Sequence, residues 1–471
     1  MITGHKLIEW GFKPGPWFKA ALAEANRLDD LGVHHSLIMT QLQAFEPPPV
    51  VTIPRRAKGE HLPFHVNIEA ENEGDYQNIQ SVLDHMSELM RVPTIKAGAV
   101  MPDACPAGSA PGTIPVGGVV ACENAIHPGF HSADICCSMA ITVLGKVDPK
   151  IVLDAAQKVT HFGPGGRFDV GYDLSRLAPL EPEVSGNPFL NNELMGKSME
   201  RHFGTQGDGN HFFYVGTLKS TGETAIVTHH GSRKPGALLY KAGMRAAEAS
   251  TKKIAPAVPK HQSWIVADSQ EGQDYWRALQ TLRKWTKMNH FLLHDWVGAI
   301  VGFYGKDRFW NEHNFVFQRT DGLFYHAKGA TPAYADFAAD YSGLTLIPMN
   351  MGEPILIASG LNAPHGLGFA PHGAGRNFSR TQHKAQVDAK IAAGATHQEA
   401  TGLPPELDVR WFSGVPDVSE MPYGYKSASS VRRQIATYNL TRIVDEVLPY
   451  GCVMAGEFDW REAGKKLGDL A

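Results

Sequence analysis

Five short polar clusters in this 471-residue chain carry side chains that bind metals and phosphates. In Asp134-Ile-Cys-Cys137 a carboxylate and a thiolate stand three residues apart. Both can hold one cation, or the sulfur can bridge two; the same residues also fit an aspartate in a turn beside two buried thiols. Gly207-Asp-Gly-Asn-His211 presents Asn210 and His211 from a glycine-rich turn, either as ligands or as a turn with a surface histidine. Thr228-His-His-Gly-Ser-Arg233 sends His229 off a strand end towards Arg233. Arginine takes phosphate through two parallel hydrogen bonds, and a loop ion pair would use the same residue. Glu312-His-Asn314 adds His313, and Pro371-His-Gly-Ala-Gly-Arg376 closes the set. Two glycines in that last turn let the backbone approach a phosphate, Arg376 can neutralise it and His372 can attack it.

One histidine pair is set aside. His290 and His294 have the spacing of a helical zinc pair, but Phe291 stands where the zinc-protease pattern needs a glutamate. They are read as structural or surface residues.

The elements that must position these clusters follow from apolar periodicity. Apolar residues recurring at three and four predict helices over 17–31, ended by Gly32, and over 74–91. Residues 47–56 form a Pro-rich connection into a short strand. Residues 98–145 are rich in Gly and Pro with short apolar runs, the pattern of buried strands joined by tight turns. A strand over 224–229 ends in the polar loop HHGSRKPG. The longest helix spans 271–303, two strands lie about a turn over 344–358, and a last helix covers 430–448 before strand-like YGCVMAG. No repeat, low-complexity tract or flexible linker interrupts this. The expected class is α+β, a single compact body of mixed and antiparallel sheets flanked by helices. Residues 1–97 form an N-terminal helical and strand layer, and residues 98–471 form the catalytic body continuous with it.

Composition narrows the class. Hydrophobic residues make up 43% and charged residues 20%, which suits a protein with a sizeable core. No apolar run reaches membrane-spanning length and no secretory signal is visible, so a cytoplasmic location is expected. The net charge of −4 argues against a broad non-specific nucleic-acid surface but leaves room for a local basic pocket. Five cysteines in a long chain argue against a disulfide framework, and 22 histidines make a metal site worth seeking.

The ordered set Asp-x-x-Cys, Gly-Asn-His, His-x-Gly-Ser-Arg, His-Asn and His-Gly-Ala-Gly-Arg resembles the RtcB family of RNA ligases. Met101-Pro-Asp103, Lys328-Gly-Ala-Thr-Pro332, Pro348-x-x-Met-Gly352, Ser379-Arg-Thr-Gln382 and Glu420-x-Pro-x-x-Tyr-Lys426 agree with it. The match covers roughly residues 98–456; each motif alone is ordinary, and the combination is specific.

The resemblance implies an enzyme that joins an RNA 3′-phosphate or 2′,3′-cyclic phosphate to a 5′-hydroxyl. It would use Mn2+ (one or two ions) and GTP, pass through a covalent histidine–GMP, and act on RNA ends such as tRNA halves or damaged RNA. Carried over motif by motif, Cys137 bridges the metals, with Asp134 and His211 on one and His229 and His313 on the other. His372 is the nucleophile. Asn210, His211, His313, Asn314 and the turn His372, Gly373, Ala374 and Gly375 hold the nucleotide with Pro348, Asn350 and Met351. Arg233, Arg376 and Arg380 receive substrate phosphates. Thiolate with imidazole suits manganese or zinc better than magnesium. Tyr214, Ile355 and Ala455 stand where the family reads guanine with a carboxylate, a hydroxyl and a lysine, which implies relaxed or altered base selection. Glu457 is the nearby carboxylate able to restore guanine reading. Two other readings compete: a nucleotidyl transferase or phosphoesterase on the same scaffold, and a non-catalytic RNA-end binding protein.

Overall fold

Runs of small and β-branched residues such as Val116–Cys122 and Thr224–His230 are buried along nearly their whole length, so these strands lie inside the molecule with both faces covered. The computed structural model describes residues 1–46, 52–163, 165–167, 174–305, 307–335, 337 and 340–458. The chain forms two compact units, Met1–Ile53 and Pro54–Ala471.

The first unit is helical: Gly4–Glu9, Phe18–Asp30 and His35–Leu42, closed over Leu7, Ala21, Ala25, Ile38 and Leu42. The helix expected over 17–31 is present. Of the Pro-rich connection, residues 47–51 lie outside the described residues, and residues 52–56 form no strand.

The second unit is built on two sheets. The larger runs in the order Leu344–Ile347, Ile355–Gly360, Thr441–Met454, Phe212–Leu218, Thr224–His230, Ser138–Gly145, Arg308–Glu312, all antiparallel. Asp408–Trp411 adds to Thr441–Met454 in parallel. The smaller sheet runs His65–Val66, Ile95–Cys105, Val116–Cys122, Phe324–Lys328, Asn314–Gln318. One residue, His313, separates a strand of the first sheet from a strand of the second. This α+β arrangement of antiparallel and mixed sheets flanked by helices is the expected class.

The boundary expected between 97 and 98 falls inside the strand Ile95–Cys105. The helix Glu73–Leu89 packs Val82, Met86 and Leu89 against Ile95, Val100 and Val120, so residues 54–97 belong to the larger unit. The long helix Gln270–Val301 is capped by Ser269, which accepts from Gly272 N, and ends at left-handed Gly302. The helix expected over 430–448 is shorter: Ala428–Thr437, then Thr441–Met454 as a strand. Asn439, in the left-handed region, turns the chain, and β-branched Thr441, Ile443, Val444 and Val447 suit the strand that follows. The polar loop expected after His229 is short. Arg233–Ile254 is a helix, with Pro235 tolerated in its first turn. Among the described residues no helix is long and apolar enough to cross a membrane.

Candidate active site

Four neighbouring strands of the larger sheet bring their ends to one edge, and each delivers one ligand-type residue there. Cys137 precedes Ser138–Gly145, His211 precedes Phe212–Leu218, His229 lies near the end of Thr224–His230, and His313 follows Arg308–Glu312. The register pairs His229 with both Met139 and Phe212, which fixes the ligands at one level. Backbone bonds hold the turn: Cys136 N donates to Asn314 O (2.7 Å) and His313 N to Cys137 O (2.9 Å). Ser132, Cys136 and Arg233 adopt left-handed conformations here, strain of the kind that gathers at functional sites. A Cβ at Gly231 would overlap the Asp134 carboxylate, so any larger residue there would displace that side chain.

The side chains converge. Cys137 Sγ lies 3.2 Å from His229 Nε2 and 3.4 Å from His211 Nε2. His211 Nε2 is 3.2 Å from Asp134 Oδ2, and His229 Nε2 is 3.2 Å from His313 Nε2. His229 Nδ1 donates to Asn210 O (3.1 Å), which leaves its Nε2 as a lone pair aimed at the cluster. Burial, with the charge of His211 next, lowers His229 to about 3 and keeps it neutral, the ligand form. Burial raises the Cys137 thiol well above its ordinary value, with Asp134 adding to the effect. Burial works against the charge of Asp134, but the hydrogen bond and charge of His211 prevail and hold it at about 2. Cys137, His211 and His229 form a group able to hold a metal ion. The ring nitrogens Nδ1 of His211 and His313 are buried without a partner. A thiol, a carboxylate and imidazole nitrogens that converge in this way fit a divalent cation.

His372 stands beside this group, its ring centroid 4.8 Å from that of His313. It follows Phe369–Pro371, which pairs with Ala330–Pro332. Its Nδ1 donates to Asp103 Oδ2 (2.6 Å) and its backbone N to the same oxygen (3.2 Å). Asp103 is wholly buried. This bond selects the tautomer with the proton on Nδ1 and leaves the Nε2 lone pair for chemistry. Gly375, in the left-handed region, could not carry a Cβ without overlapping the Asp103 carbonyl.

A cavity of about 390 Å³ joins these groups. Asp134, Cys137, Asn210, His229, His313 and His372 line its polar side. Tyr214, Asn314, Pro348, Asn350, Met351 and Ile355 line it too, as do Gly373, Ala374, Gly375, Arg376 and Arg380. His211 and Arg233 open instead on a neighbouring cavity of about 750 Å³, which Asp134, Asn210 and Arg380 share. The arginines expected to take phosphate are engaged by the protein. Arg233 donates to Thr205 Oγ1 (3.2 Å) and Gly163 O (2.9 Å). Arg376 donates to Ser419 O (2.6 Å), and Arg380 to Glu420 Oε1 (2.7 Å). Glu420, wholly buried, also bonds the Tyr425 hydroxyl. Ala455 is buried away from this lining, and Glu457 pairs with Lys384 in the neighbouring cavity. His290 and His294 are buried structural residues bonded to Thr228.

Asp103, Lys328, Glu420 and Tyr425 lie within motifs legible in the sequence, where nothing local assigns them a role. Their partners stand far away in the chain, and spacing alone carries no signal for such pairs.

The α+β body thus assembles, at the ends of four strands, a thiol–imidazole group that could hold a metal ion beside a histidine with one oriented lone pair. Residues 185–455 match the family model described as tRNA-splicing ligase RtcB, and the chain belongs to that family. It is similar to the tRNA-splicing ligase RtcB of Archaeoglobus fulgidus, 25% identical over 62% of this chain and 68% of that one. The RNA-splicing ligase RtcB of Escherichia coli K12 is 23% identical over 72% and 86%. The tRNA-splicing ligase RtcB of Thermococcus kodakarensis is 24% identical over 78% and 90%.

Proposed function

We propose that this chain is a metal-dependent RNA ligase that joins an RNA 3′-phosphate or 2′,3′-cyclic phosphate to a 5′-hydroxyl through a nucleotide carried on His372. The observation that carries the reading is the pairing of His372 Nδ1 with buried Asp103, 2.6 Å away, next to the Cys137 group. In the first step the Nε2 lone pair of His372 forms a bond to the α-phosphorus of a nucleoside triphosphate. The bond from that phosphorus to the bridging oxygen breaks, and pyrophosphate leaves with the electron pair. Asp103 keeps the Nδ1 proton in place and offsets the positive charge that develops on the ring. Asn210 and the Gly373–Gly375 turn line the same cavity and would border the phosphates.

Cys137, His211 and His229 would hold the cation, with Asp134 and His313 beside them; manganese is the ion that the family resemblance supplies, and the thiol and imidazoles by themselves also suit zinc. When bound, such an ion neutralises charge on the phosphate oxygens. GTP is the nucleotide that the family resemblance supplies, and RNA is the substrate class that fits relatives named as tRNA- and RNA-splicing ligases. A nucleotidyl transferase or phosphoesterase with changed nucleotide specificity is favoured by one observation, the apolar lining at Ile355 and Tyr214.

The test is incubation with manganese and α-labelled nucleoside triphosphates. An acid-labile, base-stable protein adduct is expected in the wild type and not in His372→Ala. An adduct that survives that substitution defeats the assignment.

A further inference from the structure

The cavity beside His372 changes character along its length. Phe212, Tyr214, Met351, Ile355, Cys452 and Met454 line one end. Strand register builds that end: Phe212 pairs with Met454 and Tyr214 with Cys452, while Ile355 pairs with Val447 on the other side of the same strand. These residues belong to one apolar cluster. The Tyr214 hydroxyl is turned away, donating to Val447 O (3.2 Å) with Glu353 O at 3.4 Å. Burial pushes the Cys452 thiol up to about 12, so it is neutral.

The phosphate turn leads directly to this end. A Cβ at Gly373 would lie 3.1 Å from Pro348 O, so the loop Pro348–Met351 abuts the residue after His372. The two carboxylates that line the cavity are committed elsewhere. Asp134 pairs with His211, and Glu420 pairs with Arg380, Arg376 and Tyr425. Glu457 faces Lys384 in the neighbouring cavity. Asn350 Oδ1 accepts from Gly352 N (2.9 Å). Among the described residues, Asp134 and Glu420 are the carboxylates of the lining; Glu353 and Asp408 lie near Tyr214 and Cys452 but outside it.

We propose that this apolar end receives the base of the nucleotide and that it admits adenine in preference to guanine. The inference rests on the reading of His372 as a nucleotide acceptor. Thioethers and aromatic rings grip any flat base. Selection then comes from the polar edge that must be buried. Guanine brings a ring N–H and an amino group, two donors that a carboxylate would satisfy together. Adenine brings one amino group and a ring nitrogen that only accepts. A buried donor without an acceptor is penalised, and guanine leaves one more of them.

The experiment measures binding of ATP and GTP to His372→Ala in the presence of manganese by titration calorimetry, with adduct formation by the wild type measured in parallel. ATP is expected to bind about tenfold more tightly than GTP, the worth of one unsatisfied donor. Equal binding, tighter GTP binding or no nucleotide binding overturns the proposal. Absence of a wild-type adduct together with an ATP preference in binding would instead defeat the reading of His372 and leave the base selection standing. Met454→Gln, which places an amide acceptor at the apolar end, is expected to bring the ATP to GTP ratio towards one. An unchanged ratio in a folded Met454→Gln protein shows that the base lies elsewhere and overturns the placement.

Discussion

His229 and His230 are neighbours on one strand, yet they serve two different clusters on opposite faces of the sheet. His230 stacks on His290 with centroids 3.5 Å apart and donates Nδ1 to Gly231 O (3.2 Å). His290 meets Thr228 Oγ1 (2.6 Å) and Ser138 Oγ (3.0 Å), and His294 meets Thr228 Oγ1 (2.8 Å) and Thr142 Oγ1 (2.7 Å). Hydroxyls therefore satisfy both nitrogens of each helical histidine. On the other face, the Nε2 atoms of His211 and His229 converge on Cys137, and the Nδ1 atoms of His211 and His313 have no partner. Burial is common to both sets, and each holds buried ring nitrogens without a partner, His230 Nε2 in the first and Nδ1 of His211 and His313 in the second; ring nitrogens that converge on a thiol belong only to the second. Metal-type spacing along a helix is thus weaker evidence than ring nitrogens that converge on a thiol beside a carboxylate.

The largest effect should come from testing that contrast directly. Cys137→Ala is expected to bring bound metal, measured by elemental analysis after manganese loading, close to zero. His290→Gln should keep its full metal content. It should lower unfolding stability by about 1–3 kcal/mol, because Ser138 and Thr228 lose buried partners. Metal retained by Cys137→Ala, or lost from folded His290→Gln, would erase the distinction between the two clusters.

The next effect sharpens the site itself. Asp103→Asn keeps the shape but allows the amide to present a donor to His372 Nδ1, which moves the imidazole proton to Nε2. The rate of adduct formation should fall by roughly a hundredfold while nucleotide affinity stays the same. A loss of affinity equal to the loss of rate would mean that Asp103 supports the fold rather than the tautomer.

How much of this was legible in the sequence depends on distance along the chain. Asp134, Cys137, His211, His229 and His313 each sit at a strand end or glycine turn that local pattern reveals, and the structure brings them to one edge. The partners that orient the site were not legible. Asp103 reaches His372 across 269 positions and Arg380 reaches Glu420 across 40, so these pairs exist only after folding. Thr441–Met454 was read partly as helix because its apolar positions suit either period until the turn at Asn439 is known. Arg233–Ile254 was hidden by a Gly-Ser-Arg-Lys-Pro-Gly opening that reads as loop. Tyr214 and Ile355 stand out in the sequence as departures, but only the register with Cys452 and Val447 shows that they form one continuous apolar wall.

The smallest effect concerns Lys328, at the end of Phe324–Lys328, whose ammonium donates to Ile114 O (3.2 Å) and which lines the same cavity as His372. Burial draws its pKa down from the ordinary lysine value to about 8, against a small opposing effect of Cys105. Below that pH the cavity presents a cation to phosphate, and above it a neutral amine. For the free enzyme, kcat/KM for adduct formation should therefore fall by about tenfold as pH rises through about 8, the worth of one charge-assisted hydrogen bond. Stability should move the other way. An unfolded lysine titrates near 10.4, so between about 8 and 10.4 the unfolded chain binds more protons than the folded one, and raising the pH favours the fold. Activity falling while stability rises separates this titration from ordinary alkaline unfolding, in which both decline together. Lys328→Gln should be less active at pH 7 and should lose the alkaline limb. If the limb persists in that variant, another group controls it and Lys328 is only a strut on the carbonyl of Ile114.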